Sequence, residues 1–284
     1  MEIKFEHVDF TYAPNTPMAK KGLQDVSFTL KENSFVAVIG HTGSGKSTLL
    51  QHFNALLKPT AGTIRIAGFE INKDTTNKSL KALRKQVGMV FQFPENQLFE
   101  ETVLRDIAFG PKNFGVLEKE AMQLAQTWLE RVGLSEEVAE QTPFDLSGGQ
   151  MRRVAIAGVL ASEPDVLLLD EPAAGLDPRG RFEMMKIFTD YQAAGHTVIL
   201  ITHNMDDVAY YADDVLVLEK GELLLHDTPE RVFADRDWLT AHHLDEPTAS
   251  NYGRVLSRRG FEFSKNPLTL TSLTQQIVQN LDKG

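Results

Sequence analysis

Not one cysteine occurs among the 284 residues. That excludes disulfides and thiolate metal centres and fits a reducing compartment. Long apolar runs are missing too: "VAIAGVLA" and "FVAVIG" fall far short of the roughly 18 residues a spanning helix needs. The opening "MEIKFEHVDF" lacks the basic and apolar regions of a secretion signal. Basic charge is not in excess. Lys and Arg number 29 against 39 Asp and Glu, a formal net charge of -10, which argues against a nucleic-acid scaffold and leaves nucleic acid off the list of expected partners. Repeats and low-complexity tracts are absent. What remains is a chain of ordinary composition, long enough to bury a sizeable core. The expectation is a chain soluble by itself, with one large domain and a smaller appendage.

Two kinds of strand are legible. Ile3 and Phe5, then Val8, Phe10 and Tyr12, alternate with polar residues, as do Val26, Phe28 and Leu30, and Ile64 and Ile66. This period of two marks strands with one wet face, as in antiparallel sheet. By contrast "FVAVIG" (35–40), "VGMVF" (87–91), "DVLLLD" (165–170) and "TVILIT" (197–202) are apolar almost throughout. Such strands are buried on both faces, in the middle of a parallel sheet covered by helices. Helical periodicity lies between them. Leu49, Leu50, Phe53, Leu56 and Leu57 share a face before "KPTAG". Leu117, Ala121, Leu124, Ala125, Trp128 and Val132 form a stripe closed by Gly133, and 182–194 is helical up to Gly195. The alternation predicts an α/β domain with right-handed crossovers. "DVLVLEKGELLLH" predicts a hairpin turning at Lys220-Gly221. Beyond Thr228 the sequence turns polar and loosely helical, with Pro247 and Pro267, and reads as a separate small element.

Three motifs carry chemistry. "GHTGSGKST", Gly40, His41, Thr42, Gly43, Ser44, Gly45, Lys46, Ser47 and Thr48, follows a buried strand and opens an amphipathic helix. Its glycines let backbone N–H groups curl around phosphates, and the helix N-terminus adds favourable partial charge. Lys46 would reach the terminal phosphates and Ser47 would ligate Mg²⁺. "VLLLDEP" ends a second buried strand with Asp170, placed to hold Mg²⁺ through its waters, and Glu171, placed to polarise an attacking water. "LSGGQMRR" puts Ser147 at an N-cap, with Gly148 and Gly149 exposing N–H groups ahead of Gln150. That makes a second anion site, whereas one bound nucleotide needs only one phosphate cradle.

In order and spacing these motifs resemble the ATP-binding cassette (ABC) ATPase family over about residues 1–227. The resemblance implies a P-loop α/β fold. It comprises a RecA-like parallel-sheet core, an antiparallel β subdomain, a helical subdomain at about 95–163, and a small α-rich C-terminal extension at 228–284. It implies ATP and Mg²⁺ as ligands and resolves the second anion site: two such domains pair head to tail, so Ser147, Gly148, Gly149 and Gln150 of one close over the nucleotide of the other. Tyr12 then matches the aromatic that stacks on adenine. Gln92 matches the glutamine that touches Mg²⁺ and the attacking water. Asp177, in "AAGLDP", belongs to the loop crossing the dimer interface, and His203 matches the histidine on the γ-phosphate. His242-His243 reads as structural. One departure is "KENSF" at 31–35, where the family commonly has a glycine; it affects a turn, not the site.

The chain lacks the coiled coil or cysteines of repair and chromosome proteins, a second cassette, and fused membrane spans, which leaves a separate membrane partner. "FQFPENQLFEETVLRDIAFGPKNFG" (91–115) resembles the ATPases of energy-coupling factor (ECF) transporters, and the intact "DEPAAGLDP" resembles their second, A-prime, type. This implies a peripheral protein on the cytoplasmic face of the cell membrane. It would form a heterodimer with a second ABC ATPase subunit, docked to a transmembrane coupling protein and a substrate-binding membrane component that together take up vitamins or micronutrients. The extension at 228–284 would then be a dimerisation element. Two other readings stay open: a homodimeric cobalt or nickel importer ATPase, and a soluble ABC ATPase in a non-transport assembly. Phe93, Leu98 and Phe99 are candidates either for a groove receiving coupling-protein helices or for local packing.

Overall fold

The structure, a computed structural model, describes residues 2–77 and 80–281. The first two strands, β1 (Ile3–Tyr12) and β2 (Lys20–Leu30), form an antiparallel pair. The fully buried β3 (Phe35–Ile39) then runs into the phosphate loop and α1 (Lys46–Phe53). Next come β4 (Ala61–Ile66), β5 (Phe69–Ile71), α2 (Leu80–Gln86) and β6 (Val87–Val90). A helical block follows, made of α3 (Val103–Asn113), α4 (Glu118–Arg131) and α5 (Gly148–Leu160). The chain returns through β7 (Val166–Asp170), α6 (Pro178–Ala193), β8 (Thr197–Ile201) and α7 (Met205–Tyr211). It then makes the hairpin β9 (Asp214–Glu219) and β10 (Glu222–Asp227). Four helices end it: α8 (Pro229–Val232), α9 (Arg236–Ala241), α10 (Thr248–Ser257) and α11 (Leu270–Leu281).

The predicted division of strands appears as two sheets. One is antiparallel, in the order β2-β1-β4-β5; the other runs β10-β9-β3-β8-β7-β6, parallel except for β10. Helix α1 lies between them. Its Leu49, Leu50 and Phe53 pack with Phe5, Phe28 and Ile64 of the antiparallel sheet and with Val36 and Val38 of the parallel one. The jump in phase from Phe5 to Val8 has a cause: the ladder shifts register between them, with His7 at φ 49° and its Nδ1 2.7 Å from Asp25 Oδ1. A bulge returns Val8 to the buried face.

Helix limits differ from the sequence pattern at three places. Helix α1 stops at Phe53 because Ala55 takes a left-handed turn (φ 52°), which leaves Leu56 exposed. Leu117 sits at the N-cap of α4 and is exposed rather than part of the buried stripe. Helix α6 starts four residues before the periodicity does, with Asp177 as N-cap and Pro178 in the first turn, where a missing N–H costs nothing. The C-terminal residues fold against the main sheet: Val232, Phe233, Leu239 and Leu268 share a cluster with Ile39, Val215 and Val217. His242 is structural, its Nδ1 2.6 Å from Glu219 Oε2.

Burial has a pH consequence in α1. His52 is wholly buried, its Nδ1 bonds the Thr48 carbonyl at 2.7 Å, and its ring meets Phe10 edge-on. Burial pulls its pKa down to about 4. The unfolded chain, titrating near 6.5, therefore holds the extra proton between those two values. The penalty is absent above pH 6.5 and complete below about 4, so stability falls on acidification. From pH 7.5 to 4.5 this residue should remove about 2.5 kcal/mol. His52→Leu should show a correspondingly smaller loss in urea unfolding at those two pH values; an identical loss would show that His52 is not the titrating group.

Candidate functional site

The site is built at the carboxyl ends of β3, β7 and β8, adjacent in the sheet in the order β3-β8-β7, where open α/β sheets bind ligands. The phosphate loop is wedged against neighbouring backbone. At Gly40 (φ 149°) a Cβ would lie 2.2 Å from the Leu218 carbonyl oxygen, and at Gly45 (φ 108°) 3.0 Å from that of Gly22, so no other residue fits either position. The turn between β9 and β10 closes the loop from the side, Gly221 N donating to the Ser44 carbonyl at 2.8 Å. Inside, Lys46 is buried and its Nζ donates to the carbonyls of Gly40 (2.7 Å) and His41 (3.0 Å). Burial lowers its pKa, opposed by the charges of Glu171 and Asp170. The Ser44 hydroxyl is buried without a hydrogen-bond partner. An orphan donor and a buried ammonium at the start of α1 suit a polyphosphate.

A cavity of about 600 Å³ opens over Gly43 and Gly45–Thr48. Tyr12 stands at its wall, hydroxyl bonded to Thr48 Oγ1 at 2.8 Å and ring half-exposed. Lys20, Lys21 and Lys220 line it as well, three cations that the motifs do not contain. Strand register carries two of them there, Lys20 opposite Tyr12 and Lys21 opposite Thr11, and the hairpin turn carries the third.

Asp170 and Glu171 end β7. The Asp170 carboxyl is raised, first by burial and then by Glu171, against a hydrogen bond from Ser47 and the charges of Lys46 and His203. Glu171 has φ 49°, and its backbone is pinned by a bond from its N–H to the Ile201 carbonyl of β8 (3.1 Å). Its Oε1 lies 3.1 Å from His203 Nε2. Both border a cavity of about 300 Å³ that reaches Arg181 and Asp207. Arg181 grips Asp207 in a forked ion pair that locks α6 to α7. The structure thus brings Lys46, Ser47, Asp170, Glu171 and His203 together.

Other sequence-predicted residues lie elsewhere. Ser147–Gln150 form a full capping box on α5, and Ser147, Gly148 and Gly149 are exposed. Asp177 caps α6, accepting from Gly180 N at 2.8 Å. Neither set lines the cavity over the phosphate loop. Gln92 follows β6 and is exposed. The phenylalanine-rich stretch divides in two. Leu98 is buried in the core, whereas Phe93 and Phe99 are exposed, Phe99 meeting Phe109 edge to face. A groove of about 370 Å³ runs past Phe91, Gln97, Phe99 and Phe109. Sequence reasoning also missed Arg152, which holds Glu95 bidentately (3.0 and 2.7 Å). Burial raises the Glu95 carboxyl, but Arg152 outweighs it and the net shift is downward.

The ABC transporter family model matches residues 23–174, and the chain belongs to that family of ATP-binding cassettes. Within it, the chain is 64% identical over 282 residues to the energy-coupling factor transporter ATP-binding protein EcfA2 of Lactobacillus acidophilus, covering 99% of this chain and 98% of that one. It is 55% identical to the EcfA2 of Enterococcus faecalis, covering 100% and 99%. Among solved structures, cbiO1 of Clostridium perfringens, part of the ABC transporter complex cbiONQ, superposes with TM-score 0.74 at 37% identity over 90% of this chain and 98% of that one. The dimeric cassette MJ0796 bound to ADP and Pi gives 0.71 at 30% identity, over 80% and 98%.

Proposed function

We infer that this chain is the ATP-hydrolysing subunit of an energy-coupling factor importer, of the A-prime type. The carrying observation is the cluster at the three strand ends: buried Lys46, Asp170 bonded to Ser47, and Glu171 beside His203. ATP would seat its phosphates on Gly40–Thr48, where Lys46 exchanges two carbonyl partners for phosphate oxygens, and its adenine against Tyr12. Mg²⁺ suits the hard oxygen donors Ser47 and Asp170, with Gln92 as a further ligand, and when bound it neutralises phosphate charge. Glu171 takes the proton of the attacking water, and His203, held by the same carboxylate, contacts the γ-phosphate. Ser147–Gln150 and Asp177 face solvent because their nucleotide belongs to the other ATPase of the pair.

The partners we propose are a second, unlike ATPase, a transmembrane coupling protein and a substrate-binding membrane component, which together take up vitamins or micronutrients. No helix of the described residues is long and apolar enough to cross a membrane, so the chain would attach peripherally at the cytoplasmic face. Residues 1–227 would form the nucleotide-binding domain, with 95–163 as its helical part. Residues 228–284 would serve dimerisation, which the exposed Leu270, Val278 and Leu281 of α11 support. The groove at Phe99 would receive the coupling protein, an exposed apolar surface being the usual mark of a docking site. Pull-down from detergent-solubilised membranes should recover one further cassette protein and two polytopic proteins. Phe99→Glu should recover the cassette partner and lose the polytopic ones. Recovery of soluble partners alone would overturn the transport reading, and a single cassette species would replace the heterodimer by a homodimer.

A further inference from the structure

Phe93 and Glu171 both hold a backbone conformation that residues other than glycine rarely adopt, at φ 54° and 49°. Such residues persist only where their surroundings over-determine them. One side chain serves both. Arg152 of α5 is buried, and its Nε and Nη2 grip the Glu95 carboxylate. Its Nη1 donates to the carbonyl of Ala174 at 2.7 Å and, more loosely, to that of Pro172 at 3.4 Å. Its guanidinium carbon stands 5.8 Å from the centre of the Phe93 ring. Glu95 belongs to a 3-10 turn, Pro94–Gln97, and Ala174 closes the turn that begins at Glu171, its N–H bonding the Glu171 carbonyl at 3.1 Å.

The turn carrying Glu171 is therefore held from two sides. Strand β8 holds it through the Ile201 carbonyl, and Arg152 holds it from the helical block. The first is a rigid ladder neighbour. The second is a buried cation whose placement depends on its single carboxylate partner, and that partner sits in the 93–97 segment beside the Phe99 groove. A buried charge follows its counter-charge, because separating the two is costly. Only a guanidinium can grip a carboxylate with one edge and backbone carbonyls with another; an ammonium is a point charge.

We propose that Arg152 is a positioning residue that sets the placement of the Glu171 carboxylate according to the position of residues 93–97. A load on the groove would then reach the attacking water through one buried guanidinium. This rests on Glu171 being the base. The test uses the chain paired with its partner ATPase and compares Glu95→Gln and Arg152→Lys with the parent, in single-turnover ATP cleavage and in equilibrium ATP affinity. Both variants should cleave about tenfold more slowly, since small misplacements of a catalytic group cost this much or more, with the ATP Kd moving less than about twofold. In a Glu171→Gln background the same changes should slow cleavage no further, because two changes acting through one group are not additive.

Parental cleavage rates would overturn the proposal. So would a cleavage rate and ATP affinity that fall together, which is the sign of a general packing role or of a misfolded chain. Further slowing in the Glu171→Gln background would do the same, because the pair would then act on another group. If Glu171→Gln alone cleaves at the parental rate, the assignment of the base fails, and the proposal with it. A clamp that fails while the base stands is recognised by a slow Glu171→Gln beside an unaffected Glu95→Gln.

Discussion

Glu171→Gln should lower ATP turnover about a thousandfold while leaving nucleotide bound, since a positioned general base contributes roughly 10²- to 10⁴-fold. The amide keeps the size of the side chain and a group able to accept from His203, but it cannot take the proton from water. The change also removes the negative charge that helps raise the Asp170 carboxyl. Asp170 should then ionise more readily. With hydrolysis blocked, the variant paired with the ATPase partner proposed above should accumulate as a closed ATP-bound dimer separable by size-exclusion chromatography. Turnover at the parental rate in that pair would remove Glu171 from the mechanism.

Lys46→Ala should weaken ATP binding at least about a hundredfold. Hydrogen bonds from a charged donor contribute about 1.5–3 kcal/mol each, and the ammonium is placed to make two of them to phosphate. The substitution also leaves the Gly40 and His41 carbonyls without their donor and removes a positive charge that interacts with Asp170 and Glu171. Titration calorimetry measures the first effect, and the thermal midpoint, expected to fall in nucleotide-free protein, measures the second. An unchanged ATP affinity would dissolve the assignment of the phosphate loop.

Residues that act through local sequence were the legible ones. The glycine-rich loop between β3 and α1, the N-cap at Ser147 and the turn at Lys220-Gly221 each depend on neighbours within a few positions, and each appears where the pattern placed it. Two-faced burial identified β3, β7 and β8 for the same reason. Lys20, Lys21 and Lys220 were not legible, because cross-strand register and a returning hairpin carry them to the nucleotide cavity. Arg152 and Glu95 are 57 positions apart and meet only once α5 packs on the core. An arginine in "QMRR" has no local mark that distinguishes a buried bidentate clamp from a solvated helix face. Leu117 erred in the other direction: periodicity counted it with the helix, but the chain enters α4 just after it.

The bond from Gly221 to Ser44 ties the timing of synthesis to the state of the site. Strand β3 lies between β8 and β9 in the sheet, so a nascent chain that has just emitted its phosphate loop has neither neighbour for it. About 180 further residues must leave the ribosome before that cradle can close, on the order of ten to thirty seconds at ordinary elongation rates. Helices α3, α4 and α5 pack on one another and emerge earlier, so contacts within the helical block can form before the phosphate loop is closed.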